Sequence, residues 1–319
     1  MSTLSISVLM PVYDADRYIR ASVASILAQT HRNFELIAVD DGSKDDSAKI
    51  LATIAAGDPR VRLISRANTG IVGALNDGLT IATGEFIARM DADDHAEPDR
   101  FRRQLNYLSA HPDCVALGTG FLKIDQRDAR VDLHVPPTDH DDIESRLLTG
   151  DGSALAHPTM MVRTSALRAI NGYNPAFDKA EDLDLYFRLM RSGRLANIPE
   201  PLLRYRVHTD STNFRHRYLQ QNLVSQILDR ERTARNLPPS KPGLLQGPSD
   251  LPTSARHRQW ACTSCKHGSW YTAWRYALQA IIHEPAARET WRTLRYVWSQ
   301  RNTTPWREPK TTITEVPGP

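Results

Sequence analysis

Residues 89–95 read RMDADDH and close an apolar run, residues 86–90, that is typical of a buried strand. Asp91 and Asp93 are two positions apart, so in an extended segment both side chains point the same way and can share one divalent cation. A cation held there would neutralise a bound diphosphate. The alternative interpretation is a helix N-terminus, because Asp is a favoured capping residue and a helical pattern follows from Pro98.

The segments around this stretch alternate between short apolar runs and runs with helical spacing. The predicted strands are residues 6–12, 34–39, 61–65 and 86–90, and the predicted helices are residues 17–29, 44–56 and 71–82. This regular alternation predicts an α/β fold with a mostly parallel sheet and helices on both faces. Such sheets bind ligands at the carboxyl ends of their strands.

A second acidic pair, Asp40 and Asp41, follows the second predicted strand. Gly42 permits a tight turn there, and Ser43 is expected to cap the next helix. Because both acidic segments lie at strand ends, we expect them to converge on one crevice. Carboxylates repel bare phosphate, so a nucleotide in this crevice would need a bridging metal ion.

Neither of the common phosphate-binding motifs is present. Residues 11–16 lack the GxGxxG pattern of dinucleotide-binding folds, and no P-loop sequence occurs. The 319 residues suit one large or two small domains, and a hydrophobic content of 40% supports a sizeable core. A net charge of +3 demands no nucleic-acid partner. Three cysteines suit a reducing compartment, and with no leader and no long apolar run we expect a cytoplasmic protein.

Four stretches follow one another along the first two-thirds of the chain. They are SVLMPVYDADRYIRASVASILAQT, ELIAVDDGSKDDS, GALNDGLTIATGEFIARMDADD and AEDLDLYFRLMRSG, beginning at residues 7, 35, 73 and 180. In sequence and spacing they resemble the non-processive family 2 glycosyltransferases of the GT-A fold. The resemblance implies a nucleotide-diphospho-sugar transferase fold, a UDP-sugar donor, and Mn²⁺ or Mg²⁺ as cofactor. The QxxRW motif of processive members is absent, which favours transfer of single sugars.

The resemblance also implies residue roles. Asp41 would accept a hydrogen bond from uracil N3–H, and the DxD pair Asp91 and Asp93 would hold the ribose and the metal ion. The residues implied for nucleotide binding are Pro11, Val12, Tyr13, Asp41, Asp91 and Ala92. A histidine at about the place of His208 can be a third metal ligand in this fold, and an exposed loop histidine is the alternative.

Glu181 and Asp182 open a helical stretch, residues 183–190. Acidic residues favour a helix N-terminus electrostatically, which is one interpretation. The resemblance places the family's catalytic base here, and we assign it to Asp182 with Glu181 as its neighbour. Such a base takes the proton of an attacking acceptor hydroxyl, and one direct displacement inverts the anomeric configuration. His157 precedes a proline in a predicted strand, residues 156–163, and is interpreted as structural.

The predicted domain organisation is a GT-A domain over residues 1–214, with a nucleotide-sugar half at 1–113 and an acceptor-side half at 114–214. A helical region at 215–302 follows, with a Pro/Gly linker at 238–252 and a disordered tail at 303–319. Helices predicted at 270–282 and 286–298 carry aromatic residues among arginines. They are expected to pack on a domain, and an anionic membrane surface is the alternative.

The sequence therefore predicts an inverting, metal-dependent glycosyltransferase that transfers one sugar from a UDP-sugar to a hydroxyl acceptor. The acceptor would be a saccharide or a lipid-linked saccharide in surface polysaccharide or glycolipid synthesis, with the enzyme in the cytoplasm or at the inner membrane face. One alternative is a sugar nucleotidyltransferase, which needs a Gly-rich basic loop that residues 13–16 do not supply. The other is a non-catalytic sugar-binding or membrane-binding module.

Overall fold

The computed structural model describes residues 5–207, 217–239, 252–266 and 269–302. Strands and helices alternate through the first part of the chain, as the sequence predicts. The elements are β1 (Ile6–Val12), α1 (Ile19–Leu27), β2 (Phe34–Asp40), α2 (Ser47–Gly57), β3 (Val61–Ser65), α3 (Ile71–Ile81) and β4 (Phe86–Arg89). Strands β3, β2, β1 and β4 lie side by side in that order, and all three pairings are parallel.

Hydrophobic side chains of β1 contribute to two separate cores. Ile6, Val8 and Met10 belong to the core that includes the buried side of α1, whereas Leu9 belongs to the core that includes α3. Successive side chains of a strand point to opposite faces, so the sheet is buried on both sides. The predicted α/β fold with helices on both faces is confirmed.

The second half of the sheet is mixed. Its strands are β5 (His95–Ala96), β6 (Cys114–Ile124), β7 (Arg130–His134), β8 (Met161–Arg163) and β9 (Arg194–Arg206). The order continues from β4 through β8, β6, β9 and β5, and β7 pairs with β6. β8 is antiparallel to both β4 and β6.

Five further helices surround these strands. They are α4 (Arg100–Ala110), α5 (His140–Leu147), α6 (Thr164–Ala169), α7 (Glu181–Leu189) and α8 (Arg217–Ala234), and short 3-10 helices occupy Gly152–Leu155, His157–Thr159 and Pro175–Phe177. The strand predicted at residues 156–163 was therefore wrong in its first half. Pro158 cannot donate a ladder hydrogen bond, and the strand begins only after it.

The chain divides into two compact units, Met1–Lys123 with Leu133–Gln246, and Ile124–Asp132 with Gly247–Pro319. The second contains α9 (Thr253–Lys266), α10 (Trp270–His283) and α11 (Arg288–Ser299). Within it, the Asp125 carboxylate accepts a hydrogen bond from the Tyr276 hydroxyl at 3.0 Å and pairs with Arg275. These contacts fix α10 on the turn between β6 and β7 in its own unit.

Several predictions in the C-terminal region fall on residues that the structure does not describe. The predicted boundary at 214/215, most of the linker at 238–252, the tail at 303–319 and His208 lie outside the described residues. Helix α9 was not predicted. Among the described residues, none of the helices has the length and apolar character that crossing a membrane requires.

Candidate active site

The acidic segments after β2 and β4 lie at the same edge of the sheet. Val12 of β1 pairs with Asp40 of β2, and Leu9 of β1 pairs with Arg89 of β4. The Asp41 amide then donates to the Val12 carbonyl at 2.8 Å. Because these strands are parallel neighbours, the register brings both acidic segments to one carboxyl edge, as the sequence predicts.

Asp41 fixes a neighbouring loop. Its buried carboxylate accepts hydrogen bonds from the backbone amides of Thr69 at 3.1 Å and Gly70 at 2.8 Å, and Arg66 Nε lies 3.3 Å away. Gly70 has φ +92°, a conformation that few other residues adopt. A carboxylate has about four acceptor positions, so three contacts leave room for one more donor.

The loop after β1 is tied to the loop after β2. The Asp14 carboxylate accepts from the Lys44 amide at 2.7 Å, and the Asp14 amide donates to the Ser43 hydroxyl at 3.1 Å. Ser43 therefore joins two loops, and the prediction that it caps the next helix was wrong. Helix α2 begins at Ser47 with Asp46 as N-cap.

The residues predicted to contact the nucleotide differ widely in exposure. Val12 and Ala92 are buried and Pro11 is half-buried, whereas the Tyr13 side chain is 46% exposed directly after β1. Only Tyr13 among these four offers a large free surface, such as a ring on which a base could stack. Their roles stay predictions.

Three carboxylates converge in the turn after β4. Oxygen atoms of Asp91, Asp93 and Asp94 all lie within 4.8 Å of one another. The sequence predicts an extended segment here, but in the structure residues 92–93 form a turn. The turn nevertheless brings Asp91 and Asp93 together, and it adds Asp94, which was not among the predicted ligands.

Burial makes this acidic turn electrostatically costly. Burial raises the pKa of Asp94 well above its usual range, and the nearby charges of Asp93 and Asp91 raise it further. Burial also raises the pKa of Asp91, against the opposing charge of Arg89, with which it forms an ion pair. Asp94 Oδ2 is buried without a hydrogen-bond partner in the described part of the chain.

The end of β9 closes over this turn. The Arg206 amide donates to Asp94 Oδ1 at 2.8 Å, and its Nε donates to the Asp93 carbonyl at 2.8 Å. The guanidinium lies 4.5 Å from the centre of the Tyr18 ring. Arg206 therefore holds both the backbone and one carboxylate of the turn.

Glu181 and Asp182 begin helix α7, whose N-cap is Ala180. Asp182 is half-buried, and its carboxylate accepts from the Leu183 amide at 2.7 Å. Burial raises the pKa of Asp182, while this hydrogen bond and Arg89 oppose the shift. Burial, and next the charge of Asp182, raise the pKa of Glu181 to about 7.

His157 is buried behind these acids. Its Nε2 lies 3.0 Å from the Tyr173 hydroxyl, and its Nδ1 lies 4.0 Å from Glu181 Oε1. Burial, aided by the charge of Arg89, lowers the pKa of His157 well below its usual value, so the ring is neutral at pH 7. A buried neutral histidine bonded to a tyrosine agrees with the structural interpretation.

Arg89 connects the two acidic sites. Its guanidinium is almost fully buried, pairs with Asp91, and acts electrostatically on Asp94, Glu181 and Asp182. We call Arg89, the three carboxylates of the turn (Asp91, Asp93 and Asp94), Glu181 and Asp182 the Arg89 cluster. It places the predicted metal ligands and the predicted base around one buried positive charge.

The comparison with known sequences agrees with this geometry. The sequence model described as "Glycosyl transferase family 2" matches residues 7–170. The chain belongs to glycosyl transferase family 2. It is 35% identical over 231 residues to the Bacillus subtilis protein EpsE, spanning 70% of this chain and 80% of that protein. It is 34% identical over 212 residues to the Escherichia coli O-antigen biosynthesis glycosyltransferase WbnJ, spanning 65% of this chain and 81% of that protein.

Solved structures with the same fold come from more distant proteins. Staphylococcus aureus TarS 1–349 in complex with UDP-GlcNAc superposes with a TM-score of 0.57 at 16% identity, over 93% of this chain and 91% of that one. The mannosyltransferase PcManGT of Pyrobaculum calidifontis, in complex with GDP-Man and Mn²⁺, superposes with a TM-score of 0.56 at 19% identity, over 94% and 86%. At such identities the likeness supports the GT-A fold alone. This family 2 protein is therefore a transferase of GT-A architecture.

Sequence reasoning did not assign a role to Arg89, Asp94 or Arg66. Asp94 stands beside the DxD pair, so a run of three acids in four residues was the available signal. Arg89 looked like a break in an apolar strand, and a charge in such a run is itself a reason to expect a buried partner. Arg66 carries no local signal for this site, because Asp41, the acid of the site that it contacts, lies at least 25 residues away in sequence.

Proposed function

We propose that this family 2 protein is an inverting, metal-dependent glycosyltransferase that moves one sugar from a UDP-sugar to a hydroxyl acceptor. The acceptor would be a saccharide or a lipid-linked saccharide of a surface polysaccharide or glycolipid. The observation that carries the proposal is the Arg89 cluster, in which a three-carboxylate turn and a half-buried helix-end carboxylate surround one arginine.

The acidic turn fits a hard divalent cation. Carboxylate oxygens are the ligands that Mg²⁺ and Mn²⁺ prefer, and three of them lie within 4.8 Å of one another. Asp94 Oδ2 has no hydrogen-bond partner among the described residues, so an atom able to bind oxygen would satisfy it. Asp91, Asp93 and Asp94 would hold Mn²⁺ or Mg²⁺, which when bound neutralises the diphosphate of the donor. His208, the further predicted ligand, lies outside the described residues.

The nucleoside would bind along the neighbouring strand ends. The Asp41 carboxylate keeps one acceptor position free, which suits the N3–H donor of uracil, and the exposed ring of Tyr13 offers a stacking surface. The loop that Asp41 holds through Thr69 and Gly70 would form the wall of that pocket.

Asp182 would take the proton of the acceptor hydroxyl. A base works best when its pKa lies near the working pH, and burial moves the pKa of Asp182 in that direction. The hydrogen bond from the Leu183 amide fixes the orientation of its carboxylate. The acceptor oxygen would attack opposite the departing UDP, so the anomeric configuration would invert in one step.

A thermal-shift screen tests this proposal. UDP-sugars should raise the melting temperature in Mn²⁺ and not in EDTA, because a ligand that binds only the folded state stabilises it, by about 2.7 kcal/mol at 100 times its Kd. GDP-, CMP- and ADP-sugars serve as matched controls. Release of UDP from the stabilising donor, with inversion at the transferred sugar followed by NMR, completes the test. Stabilisation that is unaffected by EDTA, or retention of configuration, would contradict it.

A further inference from the structure

Helix α11 carries a line of arginines on its exposed side. Arg288, Arg292 and Arg295 follow one another at spacings of four and three residues, which places them on one stripe of the helix. All three are exposed, and among the described residues none of them forms an ion pair or hydrogen bond through its side chain. Glu289 is the acidic residue of this helix. We call these three residues the arginine stripe.

Exposed aromatic rings border the arginine stripe. Trp291 and Trp298 are each 50% exposed and lie seven residues apart on one side of it, and Tyr296 lies on the other. The opposite face of the helix is formed by Thr290, Thr293 and Val297, which are buried within the unit. The aromatic rings therefore face solvent because the helix packs through small residues.

Helix α10 of the same unit exposes an apolar stripe. Tyr271, Leu278 and Ile282 are spaced by seven and four residues, and Tyr271 and Ile282 are 72% and 77% exposed. The Trp274 ring of this helix lies tilted against the exposed Trp298 of α11, with ring centres 5.7 Å apart. Exposed apolar surface of this kind marks an interaction site on a soluble unit.

We propose that the α10–α11 face of the second unit docks on an anionic lipid bilayer surface. Arginines without partners attract negatively charged head groups, while Trp, Tyr and Ile side chains partition into the interface between head groups and acyl chains. The Trp291 indole N–H already donates to the Pro285 carbonyl at 2.9 Å, so the ring can enter the interface without losing a hydrogen bond to water.

A second copy of the chain fits this face poorly. In a two-fold dimer the same patch meets itself, so the arginine stripe would approach another arginine stripe with few carboxylates to separate them. A bilayer with acidic head groups supplies many negative charges and needs no shape match. The proposal goes beyond the sugar-transfer function, because it concerns the second unit and requires no donor.

Vesicle flotation of the full-length protein tests the proposal. Large vesicles of phosphatidylglycerol mixed with phosphatidylcholine should carry the protein upward at low salt, and vesicles of phosphatidylcholine alone should not. Replacing the arginine stripe (Arg288→Gln, Arg292→Gln, Arg295→Gln) should weaken binding on the order of 100-fold, since each basic residue near an anionic surface contributes roughly a factor of five to ten. The pair Trp291→Ser with Ile282→Ser should weaken it without a change in charge.

A charge-matched control removes three exposed cations from the other unit, Lys49→Gln, Arg102→Gln and Arg194→Gln. Its binding should fall by less than about tenfold, because this variant keeps all the basic residues of the α10–α11 face. Circular dichroism on every variant checks that the fold is kept.

Equal losses in the stripe and control variants, or no binding to acidic vesicles, would overturn the proposal. So would a dimer in solution, measured by light scattering, that the stripe variant converts to monomer. UDP binding in Mn²⁺ is scored separately, so failure of docking and failure of the sugar-transfer proposal are distinguishable.

Discussion

Acidic residues follow strands β2 and β4 at the same edge of the sheet. The surrounding residues hold these two groups of acids in opposite ways. After β2, the Asp41 carboxylate is surrounded by donors, with two backbone amides and Arg66 in contact. After β4, Asp91 and Asp94 are crowded by another carboxylate, and burial raises the pKa of both. Only Arg89 pairs with Asp91, and one oxygen of Asp94 is unpartnered within the described chain.

This difference separates an acid that protein donors already hold from acids that await a cation. A carboxylate that accepts amide hydrogen bonds needs no metal ion, and Asp41 keeps one acceptor position for a donor on the ligand, so its removal should loosen a loop and weaken base binding. Carboxylates that are buried together cost free energy unless a cation or a proton joins them, so natural proteins keep such groups mainly where they act. The Arg89 cluster is the second kind, and four substitutions test the distinction.

The largest effect is expected for Asp182→Asn. Asparagine keeps the size and polarity of the side chain but cannot take a proton, so turnover should fall roughly 10²–10⁴-fold while donor affinity is kept. UDP-sugar affinity by calorimetry and transfer rate, measured on one preparation, would show both.

The helix-terminus interpretation predicts the opposite result, because a polar amide serves a helix N-terminus nearly as well as a carboxylate. Asp142→Asn, in the first turn of α5, is the matched control and should be silent. If Asp182→Asn transfers sugar at the normal rate, Asp182 is not the catalytic base. The contrast between Asp41 and the acids of the Arg89 cluster would then not hold for Asp182.

Asp93→Asn should give the next largest effect. An amide ligates divalent cations more weakly than a carboxylate, so UDP affinity in limiting Mn²⁺ should fall by about 100-fold, the upper range for disturbed metal shells. UDP affinity in EDTA, which lacks the metal contribution, should hardly change. Asp113→Asn, an exposed acid of the same unit, is the control. Equal UDP affinity of wild type and variant across a Mn²⁺ titration would remove Asp93 from the metal site.

The sequence predicted the strands and where they end better than it predicted the interactions of the polar and charged residues that follow them. The apolar run at residues 6–12 gave the observed limits of β1, because a strand buried on both faces leaves a continuous signal. The electrostatic effect of Arg89 on Glu181 and Asp182 of α7 depends on tertiary contacts, which no local pattern contains. Ser43 fails for the same reason, since a hydroxyl near a helix start can serve either the helix or, as here, the Asp14 amide of another loop.

Asp41→Ala should have a smaller effect. Losing a charged acceptor costs roughly 1.5–3 kcal/mol, and UDP and uridine should weaken alike because the lost contact is to the base. Calorimetry with both ligands in excess Mn²⁺ measures it, and Asp113→Ala, at an exposed acid of the same unit, serves as control. If UDP weakens and uridine does not, Asp41 acts on the metal or diphosphate, and the two strand ends would share one role.

The last prediction concerns stability and Glu181, whose pKa shift corresponds to about 3 kcal/mol at about 1.4 kcal/mol per pKa unit. Burial and the charge of Asp182 raise its pKa from 4.5 to about 7, so between these pH values the folded state binds more protons than the unfolded state. The free energy of unfolding contributed by this group must then fall as pH rises from about 4.5 to about 7.

Glu181→Gln imitates the protonated form and should remove that fall. Urea unfolding of both proteins in EDTA across this range should give curves that coincide at the acidic end and separate toward neutral pH, with the variant more stable. Glu85→Gln, an exposed acid on the same unit, should follow wild type throughout. Parallel curves for Glu181→Gln and wild type would mean that this acid is as well satisfied as Asp41, and the contrast between the two acidic regions would not extend to α7.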